Sequence, residues 1–168
     1  MANVLEQEFV NLLEENQNIL HKICKLYTTD LAAHQDLFQE MVIQLWRSYP
    51  KFKGDAKFST WAYRVSLNTA ISLYRGSKSK IQTVEWDHDL SNIRYEEYNT
   101  EADEQLKFLY DAVRQLNDID KALVYMYLED KDYAEISETL GISEGNARVK
   151  MNRIKNKLKE MLSRKGVV

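Results

Sequence analysis

Pro50 is the only proline in the chain, and it is accompanied by only five glycines. Tight turns between strands draw on both residue types. Glycine reaches positive φ without strain, and proline presets a turn backbone. A sheet made from 168 residues would need more turns than this supply allows, so the chain is expected to be all-α. Apolar spacing points the same way. Leu5, Phe9, Leu12, Leu13, Ile19, Leu20, Ile23 and Tyr27 make one stripe over residues 4–28, as an amphipathic helix requires.

A second helix is expected to start at Asp36, a good N-cap with Gln39 three residues on, as in a capping box. Its apolar set, Leu37, Phe38, Met41, Val42, Leu45 and Trp46, is wider than one packing face needs. The surplus is either core or a docking surface. Pro50 disfavours helix at Tyr49 and sets a boundary there. A loop with the Gly54–Asp55 pair follows, and then a helix whose Phe58, Ala62 and Val65 turn inward. On another face stand Arg64, Asn68 and Arg75, nearly in line because steps of four and seven residues rotate by about 400° and 700°. Two guanidinium groups flanking an amide can contact phosphates and base edges; the bland alternative is a solvated helix face.

Residues 77–100 are polar and mostly acidic and follow neither helical nor strand period. They divide the chain into an expected domain at 1–78, a linker at 79–100 and a second domain at 101–168. In the second domain Leu106, Leu109, Tyr110, Val113 and Leu116 define a helix ended by the cap-like Asn117–Asp118 pair. Leu123, Val124, Met126, Tyr127 and Leu128 define the next. Residues 133–162 then read as helix, short turn, helix. Ala134, Ile136 and Leu140 face inward, Ser137 permits close crossing, Gly141 suits a left-handed C-cap and Ser143 an N-cap. The last helix has an inward stripe of Ala147, Met151, Ile154, Leu158 and Leu162. Its other face holds Arg148, Val149, Asn152, Arg153 and Asn156, flanked by lysines. A helix-turn-helix uses such a basic second helix in the major groove; an αα-hairpin with a solvated basic face is the alternative.

The net charge of −3 argues against a nucleic-acid partner until its distribution is examined. Residues 47–80 carry +7 and residues 141–168 carry +6, against −5 over 1–46, −7 over 81–104 and −4 over 105–140. Two basic blocks, each on an expected helix, can present positive surfaces whatever the total. No apolar run is long enough to span a bilayer, and the N-terminus lacks a signal pattern. The expectation is a cytoplasmic protein without membrane insertion. Cys24 is the single cysteine, which excludes an intrachain disulfide. His21 and Cys24, three apart, and His88 between two aspartates read as packing and linker residues rather than metal ligands. No catalytic constellation or cofactor motif stands out, so neither enzymatic activity nor a cofactor is expected.

Two groups of motifs now stand together. D-L-F-Q-E, L-W, F-K-G-D, F-S-T-W-A-Y-R and N-T-A precede the acidic stretch, and EISETLGISEGNARVKMNRIKNKL follows it. Across nearly the whole chain this resembles the bacterial RNA polymerase sigma-70 family, in the short extracytoplasmic-function group that keeps only the second and fourth sigma regions. The resemblance implies that Asp36, Phe38, Gln39 and Glu40 dock on core RNA polymerase. It implies that the loop from Lys53 through Asp55 and Ala56 to Lys57 captures a base flipped from the downstream (−10) promoter element. Arg64 and Asn68 would contact the same element and Arg75 a phosphate, while Trp61 stands as either a stacking wedge or a core residue. Arg148, Val149, Asn152 and Arg153 would read the upstream (−35) element. Core polymerase and promoter DNA are the partners so implied, and an anti-sigma factor is a frequent further one in the family. The rivals are a free-standing helix-turn-helix regulator, which accounts for residues 133–162 but gives 36–75 no purpose, and a helical adaptor whose basic faces bind acidic proteins.

Overall fold

A computed structural model describes residues 2–75 and 100–166. The 79–99 part of the expected linker, with His88, lies outside the described residues. Among those described there are seven α-helices and no strand. They form two compact units.

The first unit holds α1 (Ala2–Tyr27), α2 (Leu31–Ser48), a 3₁₀ turn (Tyr49–Lys51) and α3 (Phe58–Tyr74). Each of the three α-helices packs on the other two. Leu20, Ile23 and Cys24 of α1, Leu37, Met41 and Leu45 of α2, and Ala62, Leu67 and Ala70 of α3 are fully buried between them. Burying each leucine or isoleucine here contributes about 1.5–3 kcal/mol.

Helix α2 begins a turn and a half before the expected Asp36. Its N-cap is Asp30, whose carboxylate accepts the Ala33 N–H at 2.8 Å. Asp36 is an exposed residue within the helix. Leu31, Ala32 and Ala33 propagate a helix readily, and the chain leaves α1 only three residues before them, with the Thr28 N–H and hydroxyl both donating to the Cys24 carbonyl. The α-helix does end at Ser48, yet Tyr49 itself keeps helical angles (φ −57, ψ −39). The chain accommodates Pro50 by tightening into the 3₁₀ turn. Tyr49 is buried against Phe9 at 5.2 Å and between Trp46, Phe52, Phe58 and Trp61, so packing outweighs the proline's preference.

The second unit holds α4 (Thr100–Arg114), α5 (Asp118–Leu128), α6 (Tyr133–Leu140) and α7 (Glu144–Arg164). Helix α7 packs on all three others. Ala147, Met151, Ile154 and Leu158 are its buried stripe, as the spacing predicts, while Leu162, at the end of the expected stripe, is only half-buried. They meet Val113, Leu116, Leu123, Met126 and Ile136 in one core. Thr100, placed in the linker by sequence, is the first residue of α4. Asn117 does not end α4. It caps α5, accepting the Asp120 N–H at 2.9 Å.

Several expected core residues face out. Leu5, Trp46, Leu106 and Leu128 are 40%, 39%, 39% and 57% exposed. Leu128 is the last residue of α5, and Leu106 stands at the middle of α4. Ala134 is exposed because it sits two residues, about 200°, around the helix from buried Ile136.

Candidate nucleic-acid interface

Three surfaces gather the sequence-predicted residues. On α2, Leu37, Met41 and Leu45 point into the core and leave Phe38, Val42 and Trp46 along the edge. The wide apolar stripe is therefore part core and part surface. Asp36 and Gln39 are exposed, and Glu40 accepts a hydrogen bond from Gln44 Nε2 at 2.9 Å. Half-buried Phe38 stacks on His21 at 4.5 Å, and His21 Nδ1 lies 3.0 Å from His34 Nε2. His21 thus packs against α2, while Cys24 is fully buried.

The second surface surrounds the loop before α3. Gly54 takes φ +75, which glycine adopts without strain. Beneath the loop is an open cavity of about 200 Å³ lined by Lys51, Phe52, Lys53, Asp55, Ala56, Thr60, Trp61 and Arg64. Lys53, Asp55, Ala56 and Arg64 are thereby brought together. Lys57, Asn68 and Arg75 are not part of that lining. Lys57 precedes α3 as an N-cap residue without a side-chain cap bond, Asn68 is exposed on α3, and Arg75 is its exposed C-cap. Sequence reasoning missed Lys51, Phe52 and Thr60. The signal was available for Thr60, which stands four residues before Arg64 on the same helix face. Trp61 is half-buried, and its ring contacts are those of a core residue. It packs on Phe52 at 5.0 Å and Phe58 at 5.4 Å, and it presents surface to the cavity.

The third surface is built by α6 and α7. Asp132 caps α6 by accepting the Glu135 N–H at 2.8 Å. Gly141 closes the helix in the left-handed region (φ 69, ψ 31), its N–H donating to the Ser137 carbonyl at 2.9 Å. The Ser137 hydroxyl donates to the Ile142 carbonyl, and Ser143 accepts the Asn146 N–H at 3.1 Å to start α7. With its inner stripe buried, α7 presents Arg148, Val149, Asn152 and Arg153 to solvent. Arg148 lies 4.9 Å over the Tyr133 ring and 3.6 Å from the Glu144 carboxylate. Lys155 donates to the Tyr127 hydroxyl at 2.8 Å, a bond that raises its pKa. Arg153 stands apart from Arg148. It borders a second cavity, of about 150 Å³, with Lys150, Lys157 and Asp120, where Lys150 approaches Asp120 at 4.0 Å.

The arrangement offers two separate cationic surfaces, one beside a cavity with an aromatic wall and one along the exposed face of α7. Among the described residues no three His, Cys, Asp or Glu side chains converge as metal ligands. No described helix is long and apolar enough to cross a membrane.

Comparison with known proteins agrees with this geometry. Residues 12–80 match Sigma-70 region 2, and residues 109–158 match Sigma-70, region 4. The chain is 29% identical over 156 residues to the RNA polymerase sigma-H factor of Pseudomonas aeruginosa, covering 84% of this chain and 81% of that protein. It is 25% identical to the ECF RNA polymerase sigma-E factor of Haemophilus influenzae, over 94% of this chain and 90% of the other. Its fold is similar to that of the sigma factor RpoE solved in complex with the anti-sigma factor NepR from Bartonella quintana. The TM-score is 0.66 at 15% identity, over 94% of this chain and 96% of that one. With both regions matched in order, the chain belongs to the sigma-70 family of RNA polymerase sigma factors, in its extracytoplasmic-function group.

Proposed function

We propose that this protein binds core RNA polymerase and directs initiation at promoters it selects, acting in the cytoplasm without catalytic chemistry of its own. Docking is assigned to the outer edge of α2, with Asp36, Phe38, Gln39 and Glu40. The downstream element is assigned to the 53–57 loop with Arg64 and Asn68, and Arg75 to a phosphate. The upstream element is assigned to Arg148, Val149, Asn152 and Arg153. Under this reading residues 1–78 and 101–168 are the two working domains, joined by the linker at 79–100.

The observation that carries the reading is the cavity under the Gly54 loop. Its wall combines Trp61 with Lys53 and Arg64, the partners an extruded base and its phosphate need. Opening a duplex costs several kcal/mol of pairing and stacking, and lodging an unpaired base against an aromatic side chain offsets part of it. Cations beside the cavity hold the backbone and make binding salt-dependent. A free-standing helix-turn-helix regulator would use α6 and α7 and leave this cavity idle. An anti-sigma factor is proposed as a further partner, since RpoE shares the fold and was solved with one.

Transcription reconstituted from purified core polymerase and this protein on genomic fragments tests the proposal. Promoter-selective transcripts are expected; binding of duplex DNA without polymerase dependence would favour the regulator instead.

A further inference from the structure

We infer that Tyr133 is a positioning residue for upstream-element readout, holding the Arg148 guanidinium in its reading pose before DNA arrives. The inference rests on the proposed role of Arg148. Tyr133 is the first residue of α6, directly after the Asp132 cap. Arg148 lies in the first turn and a half of α7, across the turn made by Gly141 and Ser143. The guanidinium carbon sits 4.9 Å from the Tyr133 ring centroid, within the range of a cation–π contact. Glu144, one turn earlier on α7, pairs with the same group at 3.6 Å. The Arg148 side chain is still 57% exposed. The guanidinium is therefore held by two neighbours while much of it remains open to donate.

A long arginine side chain in water samples many rotamers, and freezing it on a base spends binding free energy that a preset pose would retain. A planar group laid on a planar ring keeps its fork in one plane, which a bidentate contact with a guanine edge demands. Glu144 adds orientation but competes for the same donors, whereas the ring has no acceptor in the guanidinium plane. The ring is thus the partner that can stay in place when DNA binds. Its removal should cost base discrimination while leaving backbone attraction intact.

The test uses holoenzyme reconstituted from core polymerase and the full chain, after the upstream element has been selected from randomised duplex. Discrimination is measured between that element and duplexes with single base-pair changes. For Tyr133→Leu the expected result is about a fivefold loss of discrimination at the position read by Arg148, with unchanged binding to unrelated duplex and an unchanged salt slope. Tyr133→Phe should retain the discrimination. Stepwise fluorinated phenylalanines at 133 keep ring shape while draining the ring's negative face, and discrimination should fall with each fluorine even if the leucine variant folds poorly. An equal loss on all duplexes, or no trend with fluorination, would overturn the inference. Arg148→Ala separates the two layers. If it leaves discrimination unchanged, the base-reading role falls and the inference with it. If it abolishes discrimination while the Tyr133 variants keep theirs, only the positioning role falls.

Discussion

The indole of Trp61 lies 5.0 Å from the ring of Phe52 and tilts 36° from its plane. One aromatic pair therefore supports the loop and walls the cavity beneath it. Trp61→Phe should leave the first unit folded, and Trp61→Ala should remove both packing and stacking surface. With stacking worth about 1–3 kcal/mol per base, the alanine variant should open promoter DNA roughly tenfold less. Fluorescence of 2-aminopurine in the downstream element reports this; normal opening by a folded Trp61→Ala variant would reject the stacking role.

Phe38 and Gln39 stand together on the outer edge of α2. Replacing both with alanine should weaken binding to core polymerase by at least about tenfold, since a docked aromatic anchor commonly contributes more than 1 kcal/mol. Phe38 also stacks on His21, so the melting temperature has to be followed in parallel. Undiminished core affinity in anisotropy titrations would remove α2 from the docking surface.

Arg148 and Lys155 should behave differently although both are basic residues of α7. Arg148→Ala is expected to cost about 1–3 kcal/mol of discrimination at one base pair. Lys155→Gln should weaken binding to all sequences alike and reduce the salt slope by about 1. Salt titrations with selected and scrambled upstream elements distinguish the two patterns.

The turn between α6 and α7 should respond to backbone chemistry alone. A side chain at Gly141 would meet no atom within 4 Å, so Gly141→Ala pays only for its left-handed backbone, about 1–2 kcal/mol. Ser143→Ala should lose about 1 kcal/mol as a lost N-cap. Hydrogen exchange of the α6 and α7 amides measures both; protection equal to wild type would contradict the cap assignments.

Lys121 is buried in α5, and desolvation lowers its pKa from the ordinary 10.5, Asp118 opposing the shift and Arg114 adding to it. Between the lowered and ordinary values the unfolded chain binds more protons than the folded one. Stability therefore rises with pH across that window. Lys121→Met should lack the rise, so wild type should gain on the variant as pH approaches 10.5 in urea titrations. Parallel curves would show that Lys121 does not titrate with folding.

Much of the second unit was legible because its signals are local. Gly141, Ser143 and the spacing of Ala147, Met151, Ile154 and Leu158 each act within one turn of helix, and each stands as read. The misplaced start of α2 has the opposite cause. Asp30 and Asp36 are equally good caps as residues, and the choice follows from where α1 ends and which turn must deliver Leu37 to the core. Tyr49 is a similar case, since a preference set by its neighbour Pro50 yields to rings brought from α1 and α3. Thr60 and Trp61 lie within one turn of Arg64 on α3, so helical spacing already points to them. That Lys51 and Phe52 share one cavity with them depends on the fold, which spacing alone does not disclose.

Lys53, Asp55, Ala56 and Lys57 are all exposed, while Phe52 and Phe58 anchor the two ends of the same loop in the aromatic cluster. Its path is set from outside the residues proposed to meet DNA. Apart from Gly54, whose φ disfavours any side chain, those residues can be exchanged with little effect on folding. Under the proposed role of this loop, descendants of this sequence can acquire new promoter preferences by small steps at four positions while the scaffold beneath them is inherited unchanged.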